Sequence, residues 1–380
     1  MRKKPRISVI MPCLNEEATV GACVREAKKS LKKFAKRGFS GDVIVVDNGS
    51  TDGSREKAKR AGAKVVIQQL RGYGAAYLKG LSAAKGDYLI IGDSDGTYDF
   101  RLVPRFMKAL ESGADLVLGS RFKGKMAEDA MPFVNRYIGN PILTGMLNLF
   151  YGQRISDAHT GMRAFTKNAY RRMKLRSQGM EFASEMIVKA IYHKLAIVEV
   201  PIPYSPRGGI SKLSPLSDAW RHIKFMLLYA PSYLLIIPGL LLFILGFASS
   251  LILAPGPVTV RGFLFDIHTM TVGLLFANLG VEIILLGLFA KLYTERVFML
   301  PSGPLARFFL TRLTVERLLS LGLLFFLPGI TLLLMVTVPW LVQGFPAILR
   351  VREVVYGVGL CVLGAQIMFS SILFGLIKES

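Results

Sequence analysis

Residues 86–99 read Gly86-Asp87-Tyr88-Leu89-Ile90-Ile91-Gly92-Asp93-Ser94-Asp95-Gly96-Thr97-Tyr98-Asp99. A short apolar strand, Asp87–Ile91, runs directly into a cluster of carboxylates. The same grammar recurs on both sides of it. Arg6–Met11 reads as a strand ending in Pro12–Glu17, and Asp42–Val46 as a strand ending in Asp47–Asp52. Ala114–Leu118 likewise ends in Gly119–Arg121, and Lys64–Gln68 adds a further strand. Between these runs lie helical patterns: a basic amphipathic stretch Glu16–Arg37, a helix through about Ala61 after the turn Asn48–Gly53, then Tyr73–Ala84 and Arg101–Ser112. Strand–helix alternation of this kind predicts an α/β domain with a mostly parallel sheet and right-handed crossovers. Ligands of such sheets bind beyond the carboxyl ends of the strands, where all these polar clusters fall.

Side chains alternate along extended chain, so Asp93 and Asp95 point the same way and can address one ion together. Two hard carboxylates on an open loop suit Mg²⁺ or Mn²⁺, with water and substrate phosphates as the remaining ligands. Such an ion neutralises a departing diphosphate as a Lewis acid. Alone, an Asp-x-Asp pair is equally compatible with helix capping; its position at a strand end gives it weight. Two other nucleotide-binding patterns fail. Gly72-Tyr73-Gly74-Ala75-Ala76-Tyr77 nearly spells a dinucleotide fingerprint, but Tyr77 replaces the third small residue and the segment follows the third strand. No glycine-rich loop ends in Gly-Lys-Ser/Thr.

The chain has 380 residues and a formal net charge of +22. The charge is uneven: 39 basic and 20 acidic side chains fall in the first 230 residues, 9 and 6 in the last 150. A hydrophobic content of 52% excludes intrinsic disorder. Three cysteines (Cys13, Cys23, Cys361) exclude a disulfide scaffold, and no Cys/His cluster, with His159 and His193 included, has zinc-like spacing. Four apolar runs, about 232–254, 268–290, 318–342 and 354–377, each reach the roughly 20 residues needed to cross a bilayer. Their short loops predict two antiparallel helical hairpins. Lys291, Arg296, Arg307, Arg312 and Arg317 lie between the second and third runs, which places that loop and both termini in the cytoplasm of a multi-pass cell-membrane protein. Met1–Arg6 runs into an apolar stretch too short for a secretory signal. Glu282, one turn after Asn278, is the one acidic residue in these runs and should face a partner in the bundle. Segments near Met131–Tyr151 and Leu216–Ala230 are amphipathic and suit the headgroup layer, which accounts for the positive charge without nucleic acid.

With those motifs in order, the chain resembles the family 2 glycosyltransferases of the GT-A (nucleotide-diphospho-sugar transferase) fold. Among them it is similar to the dolichyl/polyprenyl-phosphate mannose or glucose synthases. The likeness covers about residues 6–225. Pro12, Leu14, Asn15 and Glu16 match the positions around the donor's base and ribose, and Val46, Asp47 and Asn48 the second base-binding loop. Asp93, Ser94 and Asp95 match the diphosphate and metal motif, with Thr97 at a further metal-side position. Arg121 matches the arginine beside the donor phosphates; Asp157 and Arg163 fall in the loop facing the sugar, and Glu185 in the helix behind it. The segment Glu199–Tyr204, with Arg207 and Lys212, matches the part that closes over the site before the first span. Two of these matches differ from the usual pattern: Asp47-Asn48 stands where two aspartates are common, and Gly96–Asp99 continues the metal motif differently, which leaves the base and sugar open.

The resemblance implies an inverting, metal-dependent transfer of a hexose from a GDP-mannose- or UDP-glucose-type donor to a polyprenyl (dolichyl) phosphate, yielding a lipid-linked sugar for protein glycosylation. Asp93, Asp95, Arg121, Arg207 and Lys212 would carry the reaction, and Arg136, Arg207 and Lys212 the acceptor phosphate. Each has a plainer reading. Arg207 and Lys212 could be orientation charges, Arg136 a solvated helix-face charge, Asp157 and Arg163 a mutual pair, and Glu185 a structural partner. Expected organisation is a head at 1–213, an amphipathic helix at 214–231 and a membrane portion at 232–380, with a homo-oligomer left open. The competing readings are a processive polysaccharide synthase, whose Gln-x-x-Arg-Trp motif is missing, and a non-catalytic membrane adaptor.

Overall fold

Val and Ile dominate Arg6–Cys13 (β1), Ser40–Asp47 (β2), Lys64–Ile67 (β3) and Tyr88–Ile91 (β4), and these four pair in parallel in the order β3-β2-β1-β4. The computed structural model describes residues 4–207, 220, 223–224, 232–298, 304–344 and 350–379. β1 and β2 are near-continuous apolar runs because helices cover both faces of the sheet. Val20–Ala35 (α1) lays Val20, Val24, Ala27, Leu31 and Phe34 on the core, the i, i+4, i+7 spacing of one helical face. Ser54–Arg60 (α2) and Tyr73–Ala83 (α3) make the next two crossovers. On α3, a Cβ at Gly80 would lie 2.4 Å from Ile10 and 2.7 Å from Val46, so the glycine sets how closely this helix lies on β1 and β2.

The second half of the sheet departs from simple alternation. After Val103–Glu111 (α4), Leu116–Ser120 (β5) does not pair with β4. Arg163–Thr166 (β6) is inserted antiparallel between them, with Ile91 opposite Arg163 and Leu118 opposite Arg163 on the other side. Asn140–Tyr151 (α5) precedes β6; Lys167–Met173 (α6) and Phe182–Tyr192 (α7) follow it. Ile197–Pro201 (β7) then closes the sheet parallel to β5. The antiparallel insertion brings the start of β6 to the edge where β1, β2, β4, β5 and β7 end. One sheet edge thus collects every motif loop of the soluble half.

Helix α1 begins at Val20 rather than at Glu16 as the amphipathic pattern predicts. The reason is local. Asn15 adopts a left-handed conformation, φ 51°, and the N–H groups of residues 15, 16 and 17 are taken by Ser50, Ser54 and Asp52 of the β2–α2 loop. These bonds hold residues 15–17 in a turn against the neighbouring loop, and the regular helix begins only after it.

The chain divides into two compact units, Met1–Met226 and Leu227–Ser380. In the second, Ile237–Leu253 (α8) is followed by a small hairpin of Val258–Val260 (β8) and Phe263–Phe265 (β9), and then by Ile267–Phe298 (α9). Pro304–Arg312 (α10), Val315–Val342 (α11) and Val351–Glu379 (α12) complete it. Four segments, Leu234–Leu253, Ile267–Glu295, Val315–Val342 and Val351–Lys378, are long and apolar enough to cross a membrane. In both hairpins glycines seven residues apart face each other: Gly239 and Gly246 against Gly280 and Gly273, and Gly322 and Gly329 against Gly364 and Gly357. A Cβ on any of them would approach the opposing helix to 3.1 Å or less, the close small-residue packing that membrane helices use in place of hydrophobic burial. Glu282 on α9 finds the partner its depth requires: Gln366 Nε2 of α12 donates to its carboxyl group. Lys212 and the expected helix at 214–231 lie outside the described residues, apart from positions 220, 223 and 224.

Candidate active site

Residues 12–17 after β1, 47–53 after β2, 92–99 after β4 and 202–207 after β7 converge on Asp93 and Asp95. Asp95, only 7% exposed, accepts from Thr97 N–H at 3.1 Å and from the Thr97 hydroxyl at 2.6 Å, both through Oδ1. Its other oxygen, Oδ2, lies 3.6 Å from Arg207 Nε. Arg207 also reaches Glu16, its Nη2 donating to Oε1 at 2.5 Å. The two ends of the soluble half, 191 residues apart in sequence, therefore meet across the carboxylate pair.

Asp93 accepts from the Tyr77 hydroxyl at 2.9 Å through Oδ1. Its Oδ2 packs closely on Gly161, where a Cβ would lie 2.5 Å from that oxygen and 3.1 Å from the Tyr73 hydroxyl, so the glycine lets the loop approach the carboxyl group. Burial first, and the neighbouring Asp95 charge second, push the Asp93 carboxyl up to about 7, against the pull of the two tyrosine hydroxyls and Arg207. This folded value lies above the 3.8 of an ordinary aspartate, so the proton favours the folded state. The resulting stability is complete below the ordinary value and is lost as pH rises through about 7. Relative to Asp93→Asn, the metal-free wild type in detergent is expected to lose thermal midpoint between pH about 5 and about 8. Parallel profiles for the two proteins would contradict it.

The chemistry of these donors fits a divalent cation. The Tyr77 and Thr97 donors bind Oδ1 of Asp93 and of Asp95, Asp95 Oδ2 is turned to Arg207, and the mutual repulsion of the two carboxylates calls for positive charge. Among the described residues no cluster of three or more His, Cys, Asp or Glu side chains could hold a metal by itself. Two carboxylates with the remaining ligands left to substrate suit Mg²⁺ or Mn²⁺.

Several other expected contacts are redirected. Val46 is fully buried in the core, so it cannot line a base pocket. Asn48 spends its amide on Gln68 O and Leu70 O and accepts from Gly72 N–H, tying β2 to the loop before α3. Asp47 caps the turn at Gly49 and Ser50 and pairs with Arg55. Ser94 donates to Pro12 O at 2.6 Å, and Thr97 orients Asp95. Pro12 and Leu14 are half-buried and Asn15 is exposed at the same rim.

The sugar-side assignments change most. Asp157 and Arg163 do not pair with each other. Asp157 instead receives Nε and Nη2 of Arg121 at 2.7 and 2.8 Å, and the Arg121 guanidinium sits 5.2 Å over the Tyr204 ring. Arg121 is therefore buried and committed, not presented to a donor phosphate. Arg163, 1% exposed, donates to the backbone carbonyls of Ala158, Thr160 and Ala183. Glu185 is fully buried, pairs with Lys189 at 2.6 Å and accepts from the N–H groups of Arg176 and Ser177. These four side chains frame the site from beneath because its loops are irregular and their polar backbone needs partners. Arg136 lies on the short π-helix Asn135–Gly139 with its guanidinium over Tyr137, beside the exposed Phe133, Val134 and Ile138. Tyr73, Tyr77 and Gly161 were missed as site residues. The signal for the two tyrosines is the near-fingerprint Gly72–Tyr77, which no nucleotide reading absorbs, and Gly161 falls within the sugar-side loop 157–163.

Residues 8–175 match the model of glycosyl transferase family 2, and residues 288–378 match its C-terminal transmembrane region. The low-salt glycan biosynthesis hexosyltransferase Agl6 of Haloferax volcanii is 40% identical over 377 residues, covering 99% of this chain and 90% of that protein. The chain belongs to the family 2 glycosyltransferases. Two further relatives of this transferase align with its soluble half. The dolichyl-phosphate hexose transferase of H. volcanii is 30% identical over 56% of this chain and 88% of its own length. The dolichol-phosphate mannosyltransferase of Pyrococcus furiosus is 28% identical over 57% and 62%. The family 2 transferase described here is thus a membrane protein with a GT-A head and four apolar helices, related to dolichyl-phosphate hexose transferases.

Proposed function

We propose that this transferase moves one hexose from a nucleoside-diphosphate sugar to a polyprenyl (dolichyl) phosphate, with inversion at the anomeric carbon. The observation that carries the reading is the meeting of Asp95 and Arg207 at 3.6 Å on the edge where the strands end. A lipid phosphate has a second pKa near ~6 and is largely dianionic at neutral pH, so its oxygen attacks without a general base. The bond from the anomeric carbon to the diphosphate breaks as the bond to the lipid phosphate oxygen forms, and the electron pair leaves on the nucleoside diphosphate. A divalent cation at Asp93 and Asp95 would supply charge neutralisation for that leaving group. Arg207 offers the bidentate donor geometry that a phosphate acceptor requires. Glu16, Pro12, Leu14 and Asn15 form the rim nearest the donor's nucleoside in this reading.

The same reading assigns residues 1–213 to the catalytic head and 232–380 to the membrane portion, with head and termini on the cytoplasmic side. The basic residues of the α9–α11 connection support that orientation. The exposed apolar side chains Phe133, Tyr137, Ile138, Ile142 and Leu149 suit insertion into a headgroup layer, with Arg136 near lipid phosphates. Lys212 follows Arg207 by five positions and is assigned to the acceptor on sequence alone.

The test is release of nucleoside diphosphate from GDP-mannose or UDP-glucose on adding polyprenyl phosphate to the full chain in detergent with Mg²⁺ or Mn²⁺. Arg207→Ala should raise the KM for polyprenyl phosphate by ~30-fold, the value of a charge-assisted contact of about 2 kcal/mol. Arg207→Lys should recover part of it. An unchanged acceptor KM in Arg207→Ala would remove Arg207 from the acceptor site. No turnover with any nucleotide sugar would favour a non-catalytic adaptor.

A further inference from the structure

The segment Gly72–Tyr77 failed as a dinucleotide fingerprint because a tyrosine stands at its last position, and the fold gives that tyrosine a task. Tyr77 lies on α3 with no exposed surface, its ring stacked on Phe182 at 5.5 Å and 11°. Its hydroxyl is 2.9 Å from Asp93 Oδ1. Tyr73, one turn earlier, meets the Tyr77 ring edge-on at 4.9 Å, and its hydroxyl lies with Asp93 Oδ2 against Gly161. Gly72 and Gly74 let the start of α3 approach the chain near Gln178, where a Cβ on either would come within 2.4 Å of a backbone oxygen. The glycines therefore seat the helix, and the tyrosines aim from it at the carboxylate.

We propose that Tyr77, backed by Tyr73, is a positioning residue for the divalent cation of the sugar-transfer reaction: it fixes Asp93 through Oδ1 and so sets the direction of Oδ2, which lies against Gly161. This inference rests on the metal-dependent transfer proposed above. The physical argument is rotational. A carboxylate at a loop's start rotates about its terminal torsion, which is broad and roughly two-fold. A buried hydroxyl donating to one oxygen selects a single orientation and leaves the other oxygen available. Partners of this kind behind a metal ligand are worth roughly 10- to 100-fold in metal affinity.

The experiment measures Mn²⁺ affinity of the full chain in detergent, by electron paramagnetic resonance at saturating UDP or GDP, alongside nucleoside diphosphate release. Tyr77→Phe keeps the ring and its stacking and is expected to weaken Mn²⁺ about tenfold or more. Excess Mn²⁺ should restore most of kcat, and the thermal midpoint should stay near that of the wild type. In an Asp93→Asn background the same substitution should add nothing further, because the two changes act through one contact. Tyr73→Phe, at a half-buried position, gives a smaller shift in the same direction and serves if Tyr77→Phe fails to fold. If wild type binds Mn²⁺ with UDP or GDP and both tyrosine variants bind it equally well, the positioning role is overturned while the transferase reading stands. If wild type binds no Mn²⁺ with either nucleotide, the metal-dependent reading falls and this inference with it.

Discussion

Replacing Asp95 by asparagine is expected to lower kcat/KM by ~10³-fold or more, about 4 kcal/mol of transition-state stabilisation, while the protein stays folded and membrane-inserted. Asparagine is the informative choice because of how Asp95 is held. Oδ1 already accepts from the Thr97 N–H and hydroxyl, and an amide oxygen can keep both contacts. What asparagine cannot keep is the second anionic oxygen, the one facing Arg207 at 3.6 Å. The substitution thus separates the structural half of the side chain from its electrostatic half. Alanine at the same position would remove both and loosen the loop as well. Turnover near the wild-type level in Asp95→Asn, with Mn²⁺ binding intact, would exclude Asp95 from the metal site.

The second large effect is on stability. Asp157→Ala should cost about 3–5 kcal/mol, because it strands a buried guanidinium without a counter-charge. Asp157 accepts three hydrogen bonds from Arg121, from the backbone N–H and from Nε and Nη2, and neither residue has appreciable solvent contact. Removing the acidic partner leaves the Arg121 guanidinium with neutral tyrosine neighbours, the Tyr204 ring at 5.2 Å among them, and no counter-charge, while solvation is denied to it. Replacing both residues together, Arg121→Met with Asp157→Leu, should cost less than Asp157→Ala alone, since no charge is then left buried. Thermal unfolding of the three proteins in detergent orders them. A single substitution no more harmful than the double one would show that water reaches Arg121.

Both expectations depend on distinctions that the motifs alone could not make. Asp95 and Arg121 stand at equally prominent points, each just past the end of a strand, and the resemblance gives each a role beside the donor phosphates. Folding separates them. Asp95 keeps an oxygen toward Arg207, whereas Arg121 is turned inward to Asp157. Asn48 shows the same limit: its place in a nucleotide loop suggests a base contact, yet both polar atoms of its side-chain amide bind backbone around residues 68–72. Tyr77 errs in the opposite direction. It looked like the residue that spoiled a motif, and it touches Asp93.

Periodicity carries only so far in the sheet as well. The parallel pairs β1–β2, β2–β3 and β1–β4 follow from strand–helix alternation, in which each crossover returns the chain to the same edge. Strand β6 follows from nothing local, because Arg163–Thr166 is four residues long and opens on an arginine. Its pairing between β4 and β5 is settled by partners 70 residues before it and 45 before it in the chain, roughly, and short strands take their identity from such neighbours.

The amino-acid sequence by itself determined the parallel part of the sheet, the four apolar helices, the placement of the carboxylate pair at a strand end and the family. These are properties of periodicity, hydrophobic length and ordered spacing, which act over a few residues at a time. Only the tertiary structure decided which polar side chains face the cleft and which are consumed in holding its loops. Every buried donor and acceptor must find a partner, and the partners of Arg121, Arg163, Glu185 and Asn48 lie on segments that only folding brings beside them.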